Sequence, residues 1–378
     1  MSELRLRTPG EVSLYVCGPT VYDAPHLGHG RMALVFDVLR RYLLFRGLRV
    51  TYVSNITDID DKVIERASER GVATDELTAR YEEVWWEAVD ALGVLHPDDA
   101  PHATAYVDRM VAAIGELVSR GVAYETSDGV YLSVADVPGY GLLAHQPLDS
   151  LRSGTRVEAV EEKRSPLDFV LWKKAKPGEP TWESPWGPGR PGWHTECVVM
   201  SLDLLGDGFD VHGGGLDLVF PHHENERAQA VALGRDFAHH WVHNGWVTVD
   251  GEKMSKSLGN LVFVEDLLKR CDPPVIRLAL LNHHYREDWD WHDPELDAAS
   301  VRLDAWQAAA AAEPDEGGVN RANEVGTLLE QVRDRLDEDL DTPGAIKAID
   351  DAAGESGSGA GASGVEIQAA AALLGVPV

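Results

Sequence analysis

Cysteine is scarce in this chain, with Cys17, Cys197 and Cys271 among 378 residues and no CxxC pair. That excludes a disulfide framework and suits a reducing compartment, so a cytoplasmic location is expected. There is no run of about 18 apolar residues of the kind a membrane helix needs. The opening MSELRLRTPGEVSLYV has no unbroken apolar segment, so neither a membrane contact nor a secretion signal is expected. Basic side chains are also few. The 34 Lys and Arg face 63 Asp and Glu, leaving a net charge of −29. This argues against a general nucleic-acid coat, although it leaves room for a local basic groove. Internal repeats at solenoid spacing are missing too. What is present is an ordinary globular balance, 44% hydrophobic and 26% charged, in a chain long enough for two or three domains.

The acidic charge is uneven. Residues 301–378 carry fifteen acids against five bases, whereas 31–49 hold five arginines against Asp37 alone. Residues 152–176 are also net positive. A polyanionic ligand would meet the first half of the chain, unless these charges simply form a solvated face.

The first sixty residues read as a βαβ unit. SLYVC is a short apolar strand, GPTVYDAPHLGHG a turn-rich connection, RMALVFDVLRRYLLFRG a helix ending at Gly47, and VTYVSNIT the next strand. Parallel sheets built this way bind ligands beyond the carboxyl ends of their strands, where Cys17 and Thr57 fall. Apolar residues recur at helical spacing from Tyr81 to Leu92 and again from Val107 to Val118. Short β-like pieces such as GVYLSV then mark an insertion, and the α/β pattern resumes from 166 with LDFVLW. Helical sequence follows from 296, interrupted by a Gly/Ser-rich stretch at 352–364 and closed by a last short apolar helix.

Three clusters carry chemistry. In His26-Leu27-Gly28-His29, two imidazoles flank a glycine at a helix N-terminus, where backbone N–H groups and the helix dipole attract phosphate oxygens. In Lys253-Met254-Ser255-Lys256-Ser257, two lysines on a loop after the turn DGE could neutralise pyrophosphate charge as it develops. Cys17, Cys197, His222 and Glu226 supply two sulfurs, an imidazole and a carboxylate. His222 and Glu226 would share a helix face at i, i+4, and the mixture suits zinc over magnesium or calcium. A buried thiol and a capped helix would use the same residues. Gly213, Gly214 and Gly215 follow a strand, where a ribose could lie on the backbone or the chain could simply turn. Asn55, Thr57, Asp58, Asp60 and Asp61 lie beyond the second strand; the acids could attract magnesium, but helix capping is their commoner use.

The stretches YVCGPTVYDAPHLGHGR, NITDIDDKVIERA, SPWGPGRPGWHTEC, DVHGGGLDLVFPHHENERAQ and DGEKMSKSLGN closely resemble cysteinyl-tRNA synthetases, which are class I aminoacyl-tRNA synthetases. The resemblance runs from about residue 12 to 290. It implies an α/β fold in which a Rossmann-type catalytic domain (1–100 and 166–245) is split by a connective insertion (101–165). A stem-contact region (246–295) and a short helical domain (296–378) would follow. It also implies zinc held by Cys17, Cys197, His222 and Glu226, and ATP with Mg2+ at His26, Gly28, His29, Gly213, Gly214, Gly215 and Lys256. His26, His29, Lys253 and Lys256 would be catalytic. Cys17, Gly18, Thr20, Asn55, Thr57 and Trp193 would line the amino-acid pocket. The implied partners of a monomer are L-cysteine, ATP and tRNA(Cys), the last through its acceptor end. The usual C-terminal anticodon part would be lacking. A sister family, the mycothiol-pathway ligases, instead joins cysteine to the amine of glucosaminyl-inositol, and WKKAKPGEP would suit either. GPTVYD and HHENE favour the tRNA enzyme.

Overall fold

The computed structural model describes residues 4–145, 162–256, 258–312, 327–355 and 362–378. Its centre is a four-stranded parallel sheet in the order β2-β1-β7-β8. Strand β1 (Glu11–Val16) pairs along its whole length with β2 (Arg49–Ser54), and through Leu14, Tyr15 and Val16 with β7 (Val211–Gly215). The outer strand β8 (His240–Asn244) runs beside β7. The run VSLYV of β1 is buried throughout, as expected for a strand covered on both faces. Helix α1 (Leu27–Phe45) connects β1 to β2, while β7 lies on the other side of β1. The strand order therefore reverses at β1, which opens a crevice between the carboxyl ends of β1 and β7.

The expected helices at 81–92 and 107–118 lie within α3 (Thr74–Ala91) and α4 (Val107–Ser119), preceded by α2 (Asp61–Arg70). Their apolar periodicity marks the buried faces: Tyr81, Trp85 and Ala88 on one, Met110, Ile114 and Leu117 on the other. A second sheet has strands on both sides of the expected boundary at 165. An antiparallel sheet orders β3 (Ala123–Glu125), β4 (Gly129–Leu132), β5 (Phe169–Lys174) and β6 (Gly189–Pro191) consecutively. Strand β5 is the LDFVLW segment that sequence grouped with the second catalytic half. Trp172 and Leu171 are fully buried here, and a short apolar run looks the same in either sheet.

After β8, strands β9 (Val247–Val249) and β10 (Glu252–Lys253) form a hairpin across Asp250-Gly251, both with positive φ. This Asp-Gly turn matches the right-handed twist of its strands and launches the KMSKS loop. Strand β11 (Trp289–Asp290) completes the small sheet. The C-terminal helices α9 (Pro294–Ala311), α10 (Thr327–Asp337), α11 (Thr342–Glu355) and α12 (Gly364–Leu373) share a continuous core with α1 and the central sheet. Buried Arg277, on the helix α8 (Pro273–Leu281) that follows the short α7 (Val264–Leu268), pairs with Asp37 of α1 and donates to the Leu92 and Leu374 carbonyls at 3.1 and 2.5 Å. Of the Gly/Ser-rich stretch, Ala352–Glu355 continue α11 and 356–361 lie outside the described residues. Among the described residues no helix is long and apolar enough to cross a membrane.

The arginine-rich stretch 31–49 is not a free basic surface. Arg31 is buried, and Arg40, Arg41, Arg46 and Arg49 pair with Asp98, Asp37, Asp337 and Glu11. Of the second positive stretch, 152–161 lie outside the described residues, and Lys173 pairs with Asp61 at 2.9 Å. Local counting of charge missed acids that tertiary folding supplies.

Candidate active site

The crevice between β1 and β7 opens into a cleft of about 1160 Å3, its mouth included. Cys17, Gly18, Thr20, His26, Gly28, His29, Asn55, Thr57, Trp193, Cys197, Gly215 and Lys253 line it. Residues spread over more than 230 positions thus meet in one cavity.

Its floor is built around sulfur. Cys17 follows β1, and Cys197 lies on α5 (Trp193–Leu205), their Sγ atoms 3.7 Å apart. His222 and Glu226 come from the turn leading into α6 (Glu224–Ala232) and from that helix itself. The ligand atoms of Cys17, Cys197, His222 and Glu226 all lie within 4.8 Å of one another, and all four residues are buried. Glu226 Oε1 is 3.5 Å from Cys17 Sγ and 3.0 Å from His222 Nε2. That Nε2 is buried and, although 3.0 Å from the carboxylate, makes no well-aligned hydrogen bond, which is unusual for a polar atom in a core. The other ring nitrogen, Nδ1, is 2.9 Å from His194 Nδ1, and Trp193 stacks on the ring at 3.9 Å. A buried imidazole nitrogen clustered with two sulfurs and a carboxylate is a set that a metal ion would complete.

Without a metal, the four groups form a tightly coupled set of charges. A hydrogen bond from Cys17 draws the Cys197 thiol down to about 6 against the opposing effect of burial, whereas burial holds Cys17 well up. Burial lowers His222, but Glu226 and Cys197 outweigh it and raise it to about 10. Burial raises Glu226, yet His212 and His222 hold it well below the usual carboxylate range. A second set shares Cys17 and Glu226 but uses His212 and His223. There His212 Nε2 is occupied by Glu226 Oε2 at 2.8 Å, and His223 Nδ1 by His243 Nε2 at 2.8 Å. We read His212 as orienting the carboxylate, with His223 beside it presenting Nε2 to Cys17 Sγ at 3.4 Å. The sequence reading named neither His223, His243 nor His194 as site residues. Their signal was present as the second histidine of PHHENE and the histidines of GWH and WVHN.

Beside the sulfur floor, Asn55 organises the strand ends. Its Oδ1 accepts from Gly18 N–H at 3.0 Å and from Tyr15 O–H at 3.1 Å, and its Nδ2 donates to Thr57 Oγ1. Gly18 is required sterically, because a Cβ there would lie 1.7 Å from the Asn55 carbonyl oxygen. Thr20 bridges to Thr57 in parallel fashion. Of the nearby acids, Asp60 caps α2, Asp58 holds Thr104, and Asp61 pairs with Lys173 and Arg190. These are structural uses.

The other end of the cleft is the turn entering α1. His26 is the N-cap residue; its Nδ1 accepts from Gly28 N–H at 3.1 Å, and His29 Nδ1 accepts from His26 N–H at 3.2 Å. Burial lowers these imidazoles to about 4 and about 3. Both are therefore neutral at pH 7, with the proton on Nε2 as the free donor. Across the mouth, Lys253 reaches Asp217 at 3.2 Å and lies over Trp246. Lys256 sits outside the cleft lining, on Asp23 at 2.5 Å and over Tyr22. Ser257 lies outside the described residues.

The glycine run divides. A Cβ on Gly213 would strike Phe36 at 2.3 Å, and one on Gly214 would meet Leu218 and His223. Their smallness serves internal packing, and only Gly215 lines the cleft.

The family profile described as tRNA synthetases class I (C) catalytic domain matches residues 4–301. A cysteine–tRNA ligase of Syntrophotalea carbinolica is 49% identical over 91% of this chain and 73% of its own length. One of Methylococcus capsulatus is 50% identical over 93% and 77%. In fold, the chain is similar to a Mycobacterium tuberculosis methionyl-tRNA synthetase in complex with methionyl-adenylate. That likeness has a TM-score of 0.70 at 16% identity and covers 96% of this chain and 89% of the other. With its cleft at the crossover of the parallel sheet and its profile match across most of the length, this chain belongs to the class I (C) tRNA synthetase family.

Proposed function

We infer that the protein activates L-cysteine with ATP and transfers the cysteinyl group to tRNA(Cys). The observation that carries this is the convergence of Cys17, Cys197, His222 and Glu226 at the floor of the cleft that the HLGH turn enters. Those four residues would hold zinc, which when bound supplies a soft partner for a substrate thiolate that serine's hydroxyl cannot match. Trp193, stacked on His222, would close the amino-acid pocket, while Gly18 and Asn55 fix its wall.

ATP, with Mg2+ on its phosphates, would lie along the cleft. The Nε2–H groups of His26 and His29 and the N-terminus of α1 would receive phosphate oxygens. The cysteine carboxylate attacks the α-phosphorus; the bond to the β-phosphate oxygen breaks, and pyrophosphate leaves with its charge met by Lys253 and Lys256. A ribose hydroxyl at the tRNA acceptor end then attacks the carbonyl and releases AMP. Each step depends on positioning and charge stabilisation, and neither requires a covalent enzyme intermediate. The domain plan that goes with this reading is a catalytic domain split by the 123–191 sheet, then the KMSKS region and a helical domain.

Labelled cysteine and ATP, offered tRNA and glucosaminyl-inositol in parallel, test the reading. Cysteine-dependent ATP–pyrophosphate exchange with charging of tRNA is expected. Exchange followed by transfer only to the amino sugar would overturn the acceptor, and equal exchange with serine would overturn the role of the metal.

A further inference from the structure

We propose that Asp23, in the turn that leads into HLGH, is a positioning residue for the second lysine of the KMSKS loop. The proposal rests on the functional reading above, because Lys256 is there assigned to the departing pyrophosphate.

Lys256 Nζ lies 2.5 Å from Asp23 Oδ2 and 4.4 Å from the centre of the Tyr22 ring, so two consecutive residues form its seat. The carboxylate is anchored from behind: Oδ2 accepts from Arg66 at 3.0 Å and Oδ1 from Ala24 N–H at 3.1 Å, with Arg70 3.7 Å away. Asp23 is only one-fifth exposed, so the seat is set into the protein rather than waving on its surface. Ser255 N–H donates to Asn260 Oδ1, and Gly259 N–H to the Lys256 carbonyl. Beyond the loop the chain is zipped to the turn after Asp23: Leu27 N–H donates to the Val262 carbonyl and Val264 N–H to Pro25.

The loop is thus fastened at its far base by Pro25 and Leu27, at its near base by Lys253 to Asp217, and near its tip by Asp23. This tip contact keeps Lys256 beside the turn that would carry the phosphates. A lysine tethered there loses less conformational freedom when negative charge develops on the leaving group than one on an open loop. A tether acts on the rate of the chemical step rather than on cysteine binding.

Limited tryptic cleavage in the absence of substrates reads the tether directly. Asp23→Asn is expected to accelerate cleavage after Lys253 and Lys256 about fivefold or more, with Asp23→Glu restoring most of the protection. In pyrophosphate exchange, Asp23→Asn should lower kcat about tenfold with KM for cysteine unchanged. In a Lys256→Ala background it should add nothing, because a residue that acts only through Lys256 has nothing left to position. Unchanged cleavage, or a full tenfold loss in the Lys256→Ala background, would overturn the proposal; the latter result would assign Asp23 to Arg66 and Arg70 instead. If Asp23→Asn does not fold, Lys256→Gln removes the other partner. Faster cleavage after Lys253 in that variant supports the tether, and unchanged cleavage overturns it. The cleavage result stands whatever the substrate proves to be. Loss of the functional reading would show separately, as absent cysteine-dependent exchange in the unmodified protein.

Discussion

The two ends of the cleft use the same residue types under opposite electrostatic conditions. At the sulfur floor, two negative partners overcome burial and raise His222 to about 10. At the nucleotide end burial leads in lowering His26 and His29 to about 4 and 3; Lys253 and Lys256 add to it at His26 against Asp217, and His26 and Lys62 add to it at His29. The floor is assembled from Cys17, α5, the turn before α6 and α6 itself, all buried. The mouth is assembled from one helix N-terminus and a half-exposed loop. The lesson is that a histidine's task is set by the charge that faces it: one is an anion's partner awaiting a metal, and the others are neutral donors that need no counter-charge.

Breaking the floor should have the largest effect. Cys197→Ser removes one of two sulfurs from a set whose remaining members are an imidazole and a carboxylate. Zinc content should fall well below one per chain, and cysteine-dependent exchange should fall by about 10²-fold or more. Metal analysis alongside exchange checks this, and unchanged zinc in the variant would remove the floor's assigned role.

Breaking the mouth should cost at most as much in rate and should spare binding. Lys256→Ala removes a charge needed chiefly as pyrophosphate departs, at about 2–4 kcal/mol, or about 10²–10³ in rate at most. Zinc content and KM for cysteine should stay as they are. A loss confined to KM would instead make Lys256 a ground-state contact.

Acid should sharpen the comparison. The depressed values of His26, His29, His194 and His243 mean that the unfolded chain takes up protons below about pH 6.5 while the native protein does not. Stability is therefore present above pH 6.5 and falls with acid until the native values are reached. At pH 5 each such group contributes a loss of up to about 2 kcal/mol. Urea midpoints measured from pH 7.5 to 5 should drop steeply. In the double variant His26→Gln, His29→Gln the drop should be shallower by about 4 kcal/mol at most.

Much of the site was legible because its chemistry is local in sequence. HLGH marks a helix start by its own capping, and the Asp-Gly turn sets KMSKS at a hairpin end. The four metal candidates were legible from residue type, although Cys17 and Cys197 are 180 residues apart. What escaped is long-range. LDFVLW joined the antiparallel sheet because a short buried strand carries no record of which sheet it enters. Gly213 and Gly214 owe their smallness to Phe36 and His223, which no spacing rule connects to them. Lys256 has the right type and position, yet its partner Asp23 precedes it by more than 230 residues.

The smallest predicted effect concerns the arginines that sequence offered as a basic surface. The Arg46 and Arg49 side chains are 45% and 74% exposed, but they lie against Asp337 and Glu11. A guanidinium already beside a carboxylate contributes little net field to an approaching polyanion, and an exposed pair of this kind is worth about 0–1 kcal/mol. Arg46→Ala and Arg49→Ala should therefore leave the melting temperature within a degree or two, since about 0.5 kcal/mol spread over a chain this size moves it no further. They should equally leave the salt dependence of tRNA charging unchanged, because no phosphate contact is lost with them. A shallower slope of charging rate against salt in Arg46→Ala alone would show that tRNA displaces Asp337 from that arginine. The acidic helical region would then take part in RNA binding by releasing a cation to it.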